Sequence, residues 1–274
     1  MGIGLVKAYN APLGKKIFGA FAAILVVFFG LHALVLLTST PHAVIAAHRG
    51  AAGLAPENTL AAIHAGLNAG ATYIEIDVQR SADGVLLLMH DADLSRTTDG
   101  SGPLSETTWE TISQLDAGSS FSAEFAGEPV PGFTEVLDFT AQHAFTLVLE
   151  IKFPEASPGI EADVVTAIQE HHLEDRVIIE SFDYTSLQRV HQLSPQLSLL
   201  LLSQYPVSIP HIQDGQIVGV FWLSVLADPT LTFRLHQNGY GVWVYTVNDP
   251  FFIGVLNRLG IDGVFTDQPD QSSN

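Results

Sequence analysis

Seven side chains in this sequence carry chemistry at spacings that put them on shared faces. AAHRG ends an apolar run with two groups able to be cationic, His48 and Arg49. YIEIDVQ sets Glu75 and Asp77 into an otherwise apolar strand pattern, LVLEIK does the same with Glu150 and Lys152, and LLLMHD ends on His90. Residues two apart in a strand share a face. Glu75 and Asp77 therefore point one way and Ile74, Ile76 and Val78 the other; Glu150 and Lys152 share a face in the same manner. Three carboxylates gathered at one end of a sheet repel one another unless a cation sits among them. Glu75, Asp77 and Glu150 are hard oxygen ligands, suited to Mg²⁺ or Ca²⁺ with water completing the shell. Zinc would recruit more nitrogen. The two histidines are open to two uses, as metal ligands or as proton carriers near neutral pH. Arg49 offers a planar fork for a phosphoryl group. Lys152 is the only lysine after residue 16, and a bound anion beside a metal gives such an ammonium a reason to sit on a buried strand.

Each piece alone has a plainer reading. A histidine ending a strand is commonly structural, Glu-x-Asp occurs on solvated edges, and Lys152 can serve only to neutralise Glu150. Asn58 and Thr59 are expected to cap the following helix, with Glu57 entering it, and Asp91 to orient His90. The conjunction of these groups at the ends of successive strands favours one site.

The elements that position them follow from periodicity. Strands are expected at Val44–His48, Tyr73–Val78, Val85–His90, Phe145–Ile151, Val177–Glu180, Leu197–Leu202, Val218–Phe221, Gly241–Tyr245 and Gly263–Thr266. Helical patterns lie between them at Asn58–Asn68, Phe133–His143, Gly159–His171, Tyr184–Gln192, Pro229–Gln237 and Pro250–Arg258. Alternating strands and helices mean a parallel sheet with crossover helices, and about eight such units point to an α/β fold of the TIM (β/α)8 barrel type. The first strand is not followed by Gly-x-Gly-x-x-Gly, which disfavours dinucleotide binding. Residues 92–131, rich in Ser, Thr, Gly and Asp, read as a small insertion after the second strand, over one end of the barrel.

Composition bounds the partners. The chain has 274 residues, is 47% hydrophobic and has no cysteine. It can build a full core, and it has neither disulfides nor a thiol nucleophile. The formal net charge is −18, with Lys7, Lys15 and Lys16 all preceding the first acidic residue, Glu57. Such a body repels nucleic acid, and a phosphate-bearing small molecule needs a local positive focus. Residues 17–37, IFGAFAAILVVFFGLHALVLL, carry no formal charge. As a helix they span ~31 Å, enough for one transmembrane helix; His32 within it is a passenger. The preceding lysines put residues 1–16 in the cytoplasm. The body, residues 44–270, is then extracytoplasmic on the cell membrane, the alternative being secretion after signal cleavage. Only TSTPHA separates the span from the first strand, so the C-terminal rim of the barrel is expected to face away from the bilayer, favouring water-soluble substrates.

These residues resemble a known family, the glycerophosphodiester phosphodiesterases. AHRGAAGLAPENT resembles its opening block and IEIDVQRSADGVLLLMHDADLSRTTDGSG its Glu-x-Asp, Asp-Gly and His-Asp signature. LDAGSSF, GEPVPGFTEVL, LVLEIK, IIESFD, VYTVND and GIDGVFTDQPD resemble later blocks in the same order. The resemblance implies a metal-dependent hydrolase releasing glycerol 3-phosphate and an alcohol. It implies that Glu75, Asp77 and Glu150 bind the metal, that His48 and His90 form the acid/base pair, and that Arg49 and Lys152 hold the phosphate. Two blocks depart from the pattern. VYTVN has Tyr245 where the family usually carries Trp, which alters the substrate pocket, and VPGFTEVL replaces a more usual Ile-Pro-Thr-Leu-Glu-Glu run. Two other readings compete: a lysophospholipase D or phosphoinositide-type lipid phosphodiesterase, and a non-catalytic membrane-tethered binding protein.

Overall fold

The computed structural model of the chain describes residues 17–20, 30, 43–204 and 209–272. The expected transmembrane segment 17–37 lies almost wholly outside these. Among the described residues no helix is long and apolar enough to cross a membrane.

The strands are β1 Val44–Ala47, β2 Tyr73–Arg80, β3 Leu86–Leu88, β4 Thr146–Ile151, β5 Val177–Ser181, β6 Ser198–Ser203, β7 Ile217–Phe221, β8 Gly241–Tyr245 and β9 Gly263–Thr266. Eight of them are parallel and close a ring, β1-β2-β4-β5-β6-β7-β8-β9, with β9 pairing back onto β1. This is the expected barrel. β3 pairs antiparallel with β2 and stays outside the ring. The strand expected at Val85–His90 is therefore a three-residue hairpin return. The turn residues Asp83-Gly84, with Gly84 at φ 91°, fold it back, and His90 lies beyond it in a loop.

The crossover helices are α1 Leu60–Asn68, then α2 Trp109–Ile112 inside the insertion, α3 Phe133–Gln142, α4 Ile160–Glu170, α5 Tyr184–Leu193, α6 Trp222–Ala227, α7 Leu231–Gln237 and α8 Pro250–Arg258. α6 was not expected. It starts directly after Phe221 with no turn residue between, so its first residues read as a continuation of β7. Two large apolar clusters fill the space between strands and helices, one around Ile63, Ile76 and Leu149, the other around Val220, Leu256 and Val264. Residues 92–131 wrap a small core of their own, with Leu94, Leu104, Ile112 and Val130 packed on Leu87 and Met89.

The barrel interior is divided along its axis. Ala46, Val148, Ile178, Leu200, Trp243 and Phe265 plug one part. Two residues further along the same faces come Glu150 and Glu180, level with Asp77. The register aligns Asp77 with Glu150 and Glu150 with Glu180 across three neighbouring strands. The apolar plug cannot solvate these carboxylates, so their charge must be met from the open end of the barrel.

Candidate active site

The His-Arg-Gly sequence forms a tight turn, His48–Gly50, straight off β1. Arg49 sits at φ 52° and Gly50 at φ 90°, and a Cβ at Gly50 would meet the Ala62 Cβ at 2.6 Å. On the facing helix α1, a Cβ at Gly66 would meet the Gly50 carbonyl at 2.2 Å. Two glycines thus let the helix clamp the turn against the barrel mouth. Thr59 starts α1 by accepting a hydrogen bond from the Ala62 N–H.

Asn58 does something other than cap. Its Nδ2 donates to Asp77 Oδ2 at 2.7 Å, and its Oδ1 accepts from the Asp77 backbone N–H at 2.9 Å. Glu57 does not enter the helix either. It takes Arg49 at 2.9 Å and both terminal nitrogens of Arg96 at 2.7 and 2.8 Å. The expectation failed because Asn58 adopts φ 57°, a left-handed conformation that asparagine tolerates and that turns its amide back toward β2.

All seven expected groups gather at the C-terminal ends of the strands. Glu75, Asp77 and Glu150 present oxygens within 4.8 Å of one another. Glu75 is 2% exposed and Asp77 1%. The Arg49 backbone N–H donates to Glu75 Oε2 at 2.6 Å. Lys152 Nζ lies 3.1 Å from Glu150 and 3.6 Å from Asp77, and Arg49 Nε is 3.7 Å from Asp77. Burial, then the neighbouring Asp77, push Glu75 well above the usual carboxylate range. The same two causes push Glu150 up to about 8. Asp77 is held below its ordinary value. Burial opposes this, but Lys152, Arg49 and His90 outweigh it. Three buried carboxylates this close repel one another without a cation, and a set that offers only hard oxygens fits a divalent ion.

The histidines flank this centre, each with its own carboxylate. His48 Nδ1 is 2.6 Å from Asp267 Oδ1, and Asn248 Nδ2 donates to the other Asp267 oxygen at 2.7 Å. His90 Nδ1 is 2.7 Å from Asp91, as expected, and Arg96 Nε donates to Asp91 Oδ2. In both pairs Nδ1 is engaged by the carboxylate, leaving Nε2 for chemistry. Burial lowers the His90 pKa, favouring the neutral ring.

A cavity of about 210 Å³ opens among His48, Arg49, His90, Glu150, Lys152, Glu180, Phe182 and Tyr245. A larger groove of about 710 Å³ runs past Ser224, Leu231 and Tyr240, but no candidate catalytic group reaches it. Glu180 was missed in the sequence. It is 2% exposed, its Oε2 has no hydrogen-bond partner, and the Tyr245 hydroxyl nearby has none. Burial, then Glu75 and Glu150, raise the Glu180 carboxyl well above its usual range. Glu57, Asn58, Arg96 and Asp267 complete the groups that the motif spacing did not single out as part of the site.

Comparison with known proteins finds relatives of this chain in sequence and in fold. The pattern of the Glycerophosphoryl diester phosphodiesterase family matches residues 48–271. A glycerophosphodiester phosphodiesterase of Caldanaerobacter subterraneus is 36% identical over 235 residues, 84% of this chain and 96% of the relative. One from Bacillus subtilis is 34% identical over 255 residues, 85% of this chain and 86% of the relative. The structure of an Oleispira antarctica phosphodiesterase in complex with the product sn-glycerol-3-phosphate superposes with a TM-score of 0.75 at 31% identity, covering 84% of this chain and 94% of that one.

Proposed function

The chain belongs to the glycerophosphoryl diester phosphodiesterase family, and from that premise we propose how its barrel mouth works. It is a glycerophosphodiester phosphodiesterase, an enzyme acting on a small-molecule phosphodiester. In the proposed reaction either water attacks phosphorus directly, or the glycerol hydroxyl beside the ester attacks first and gives a cyclic phosphate that water then opens; by either route the P–O bond to the alcohol breaks and glycerol 3-phosphate is the product. One imidazole of the His48/His90 pair takes the proton of the attacking hydroxyl at Nε2, and the other supplies a proton to the departing alkoxide. Asp267 and Asp91 hold the two rings in the tautomer this needs. Arg49 and Lys152 bind the phosphoryl oxygens and meet the charge that grows on them. Glu75, Asp77 and Glu150 would hold a divalent cation, Mg²⁺ or Ca²⁺, which when bound would supply Lewis-acid stabilisation of the developing negative charge. Glu180 and Tyr245, each with a cavity-side oxygen that lacks a hydrogen-bond partner, take the glycerol hydroxyls.

The observation that carries this reading is the single cavity in which two carboxylate-oriented imidazoles face an acidic triad and two cations. A retained fold without activity, the binding-protein alternative, gives no reason for the full set to persist. The test is turnover of a glycerophosphodiester by the full-length chain and its His48→Ala and His90→Ala variants. Each substitution should lower kcat by ~10²–10⁴. Near-normal turnover in both variants rejects the pair.

The surroundings are proposed on the sequence alone: residues 17–37 anchor the chain in the cell membrane, residues 1–16 are cytoplasmic, and the barrel of residues 44–270, with its 92–131 insertion, is extracytoplasmic. The uncharged run preceded by three lysines supports this.

A further inference from the structure

Arg96 reaches both arms of the site yet does not line its cavity. Its Nη1 and Nη2 form a fork on the two Glu57 oxygens at 2.8 and 2.7 Å, and its Nε donates to Asp91 Oδ2. Glu57 Oε1 also accepts from Arg49 Nη1 at 2.9 Å, and Asp91 Oδ1 engages His90 Nδ1 at 2.7 Å. One guanidinium thus ties the arginine that meets the phosphoryl oxygens to a histidine that moves a proton. Each of its nitrogens already meets a carboxylate, so its part in the reaction is played through Glu57 and Asp91.

The insertion supplies this residue. Asp93 accepts from the Ser95 N–H at 2.9 Å and starts the short turn Leu94–Arg96. Leu94 is buried against Leu87 and Met89. Its carbonyl accepts from the Thr98 hydroxyl at 2.7 Å, and its N–H donates to the Gly102 carbonyl at 3.0 Å. The turn is therefore fixed to the barrel from beneath. The backbone of the His90 loop is fixed separately, by buried Gln79, whose Nε2 donates to the Met89 and Asp91 carbonyls, each at 2.7 Å. What Gln79 does not fix is the rotation of the Asp91 carboxylate. The Arg96 side chain is 45% exposed, and ion pairs this open to water add little to stability. Its value lies in aim.

We propose that Arg96 is a positioning residue that holds Arg49 through Glu57 and His90 through Asp91, so that the insertion sets phosphate binding and proton transfer together. This rests on the proposed function above. The Arg96 hydrogen bond is the largest of the causes that hold the Asp91 carboxyl below its ordinary value. With Arg96 removed, Asp91 loses its Oδ2 partner and can turn away from the His90 ring. Glu57 then pulls on Arg49 undivided and draws it from the phosphoryl oxygens. A lysine keeps the charge but cannot fork on one carboxylate while donating to a second.

The test is steady-state kinetics of the full-length chain on glycerophosphocholine. Arg96→Gln should lower kcat and raise KM, together a loss of about 10- to 100-fold in kcat/KM. Its unfolding midpoint should stay within about 3 °C of wild type. Glu57→Gln should act mainly on KM and Asp91→Asn mainly on kcat, and Arg96→Lys should recover part of the Arg96→Gln loss. In the Glu57→Gln/Asp91→Asn background, Arg96→Gln should cost less than about threefold more. A loss there as large as in the wild type overturns the proposal. So does an Arg96→Gln effect confined to kcat or to KM alone, or a fall in the unfolding midpoint large enough to account for the lost activity. A wild-type chain that does not turn over the substrate rejects the proposed function and this proposal with it. Wild-type turnover with an additive Arg96→Gln loss rejects this proposal alone.

Discussion

Glu180 illustrates what one side chain contributes and why spacing alone overlooked it. It stands singly in VIIES, without the i, i+2 partner that drew notice to Glu75–Asp77 and Glu150–Lys152. Its neighbour is across the sheet: β5 places it level with Glu150. A register comparison between the two strands would have found it; a scan along one strand could not. An acceptor buried without a partner costs stability that only a ligand can return. Replacing Glu180 by Gln, or Tyr245 by Phe, should therefore raise KM for glycerophosphodiesters by about three- to tenfold. Bis(p-nitrophenyl) phosphate, which has no glycerol, should be unaffected. Equal losses on both substrates would mean the two groups act elsewhere than on glycerol.

Strand and helix elements were legible in proportion to how cleanly they alternate. β8 and β9 fall where the pattern put them, and the faces of β2 and β4 follow from period-two arithmetic. The short β3 was overcalled because an apolar run such as VLLLMH does not reveal where pairing stops. The loop Glu57-Asn58 was misread because a capping signature says nothing of a left-handed residue that turns its amide toward another strand. Asp267 lies 219 residues along the chain from the His48 it engages, so only folding brings it in; Arg96 is close in sequence to Asp91, but no motif spacing marked the short turn Leu94–Arg96 that aims it there. The clamp between the His-Arg-Gly turn and α1 is the element on which these placements depend. Gly50→Ala adds a Cβ at a positive φ and against the Ala62 Cβ. It should destabilise the fold by about 2–4 kcal/mol and lower activity even in the fraction that folds, because Arg49 would lose its hold on Glu75. An unchanged unfolding midpoint in denaturant would show that the turn has room to relax.

Among the described residues, the acidic barrel gathers buried charge at its mouth. An apolar plug beneath it keeps out water, and Arg49 and Lys152 face three carboxylates in the triad plus Glu180. Without a cation the imbalance is met by protons, as the raised Glu75, Glu150 and Glu180 carboxyls indicate. A divalent ion must displace those protons. Its affinity should therefore rise with pH through the range approaching the Glu150 value of about 8 and weaken as the solution is acidified. Calorimetric titration of Mg²⁺ or Ca²⁺ into the metal-free full-length chain at neutral pH, in two buffers of different ionisation enthalpy, tests this most directly. The predicted result is one ion bound per chain with net proton release, lost in Glu75→Gln and Glu150→Gln, and turnover that rises with occupancy. Full turnover in chelator with no ion bound, or undiminished binding in both variants, would contradict it.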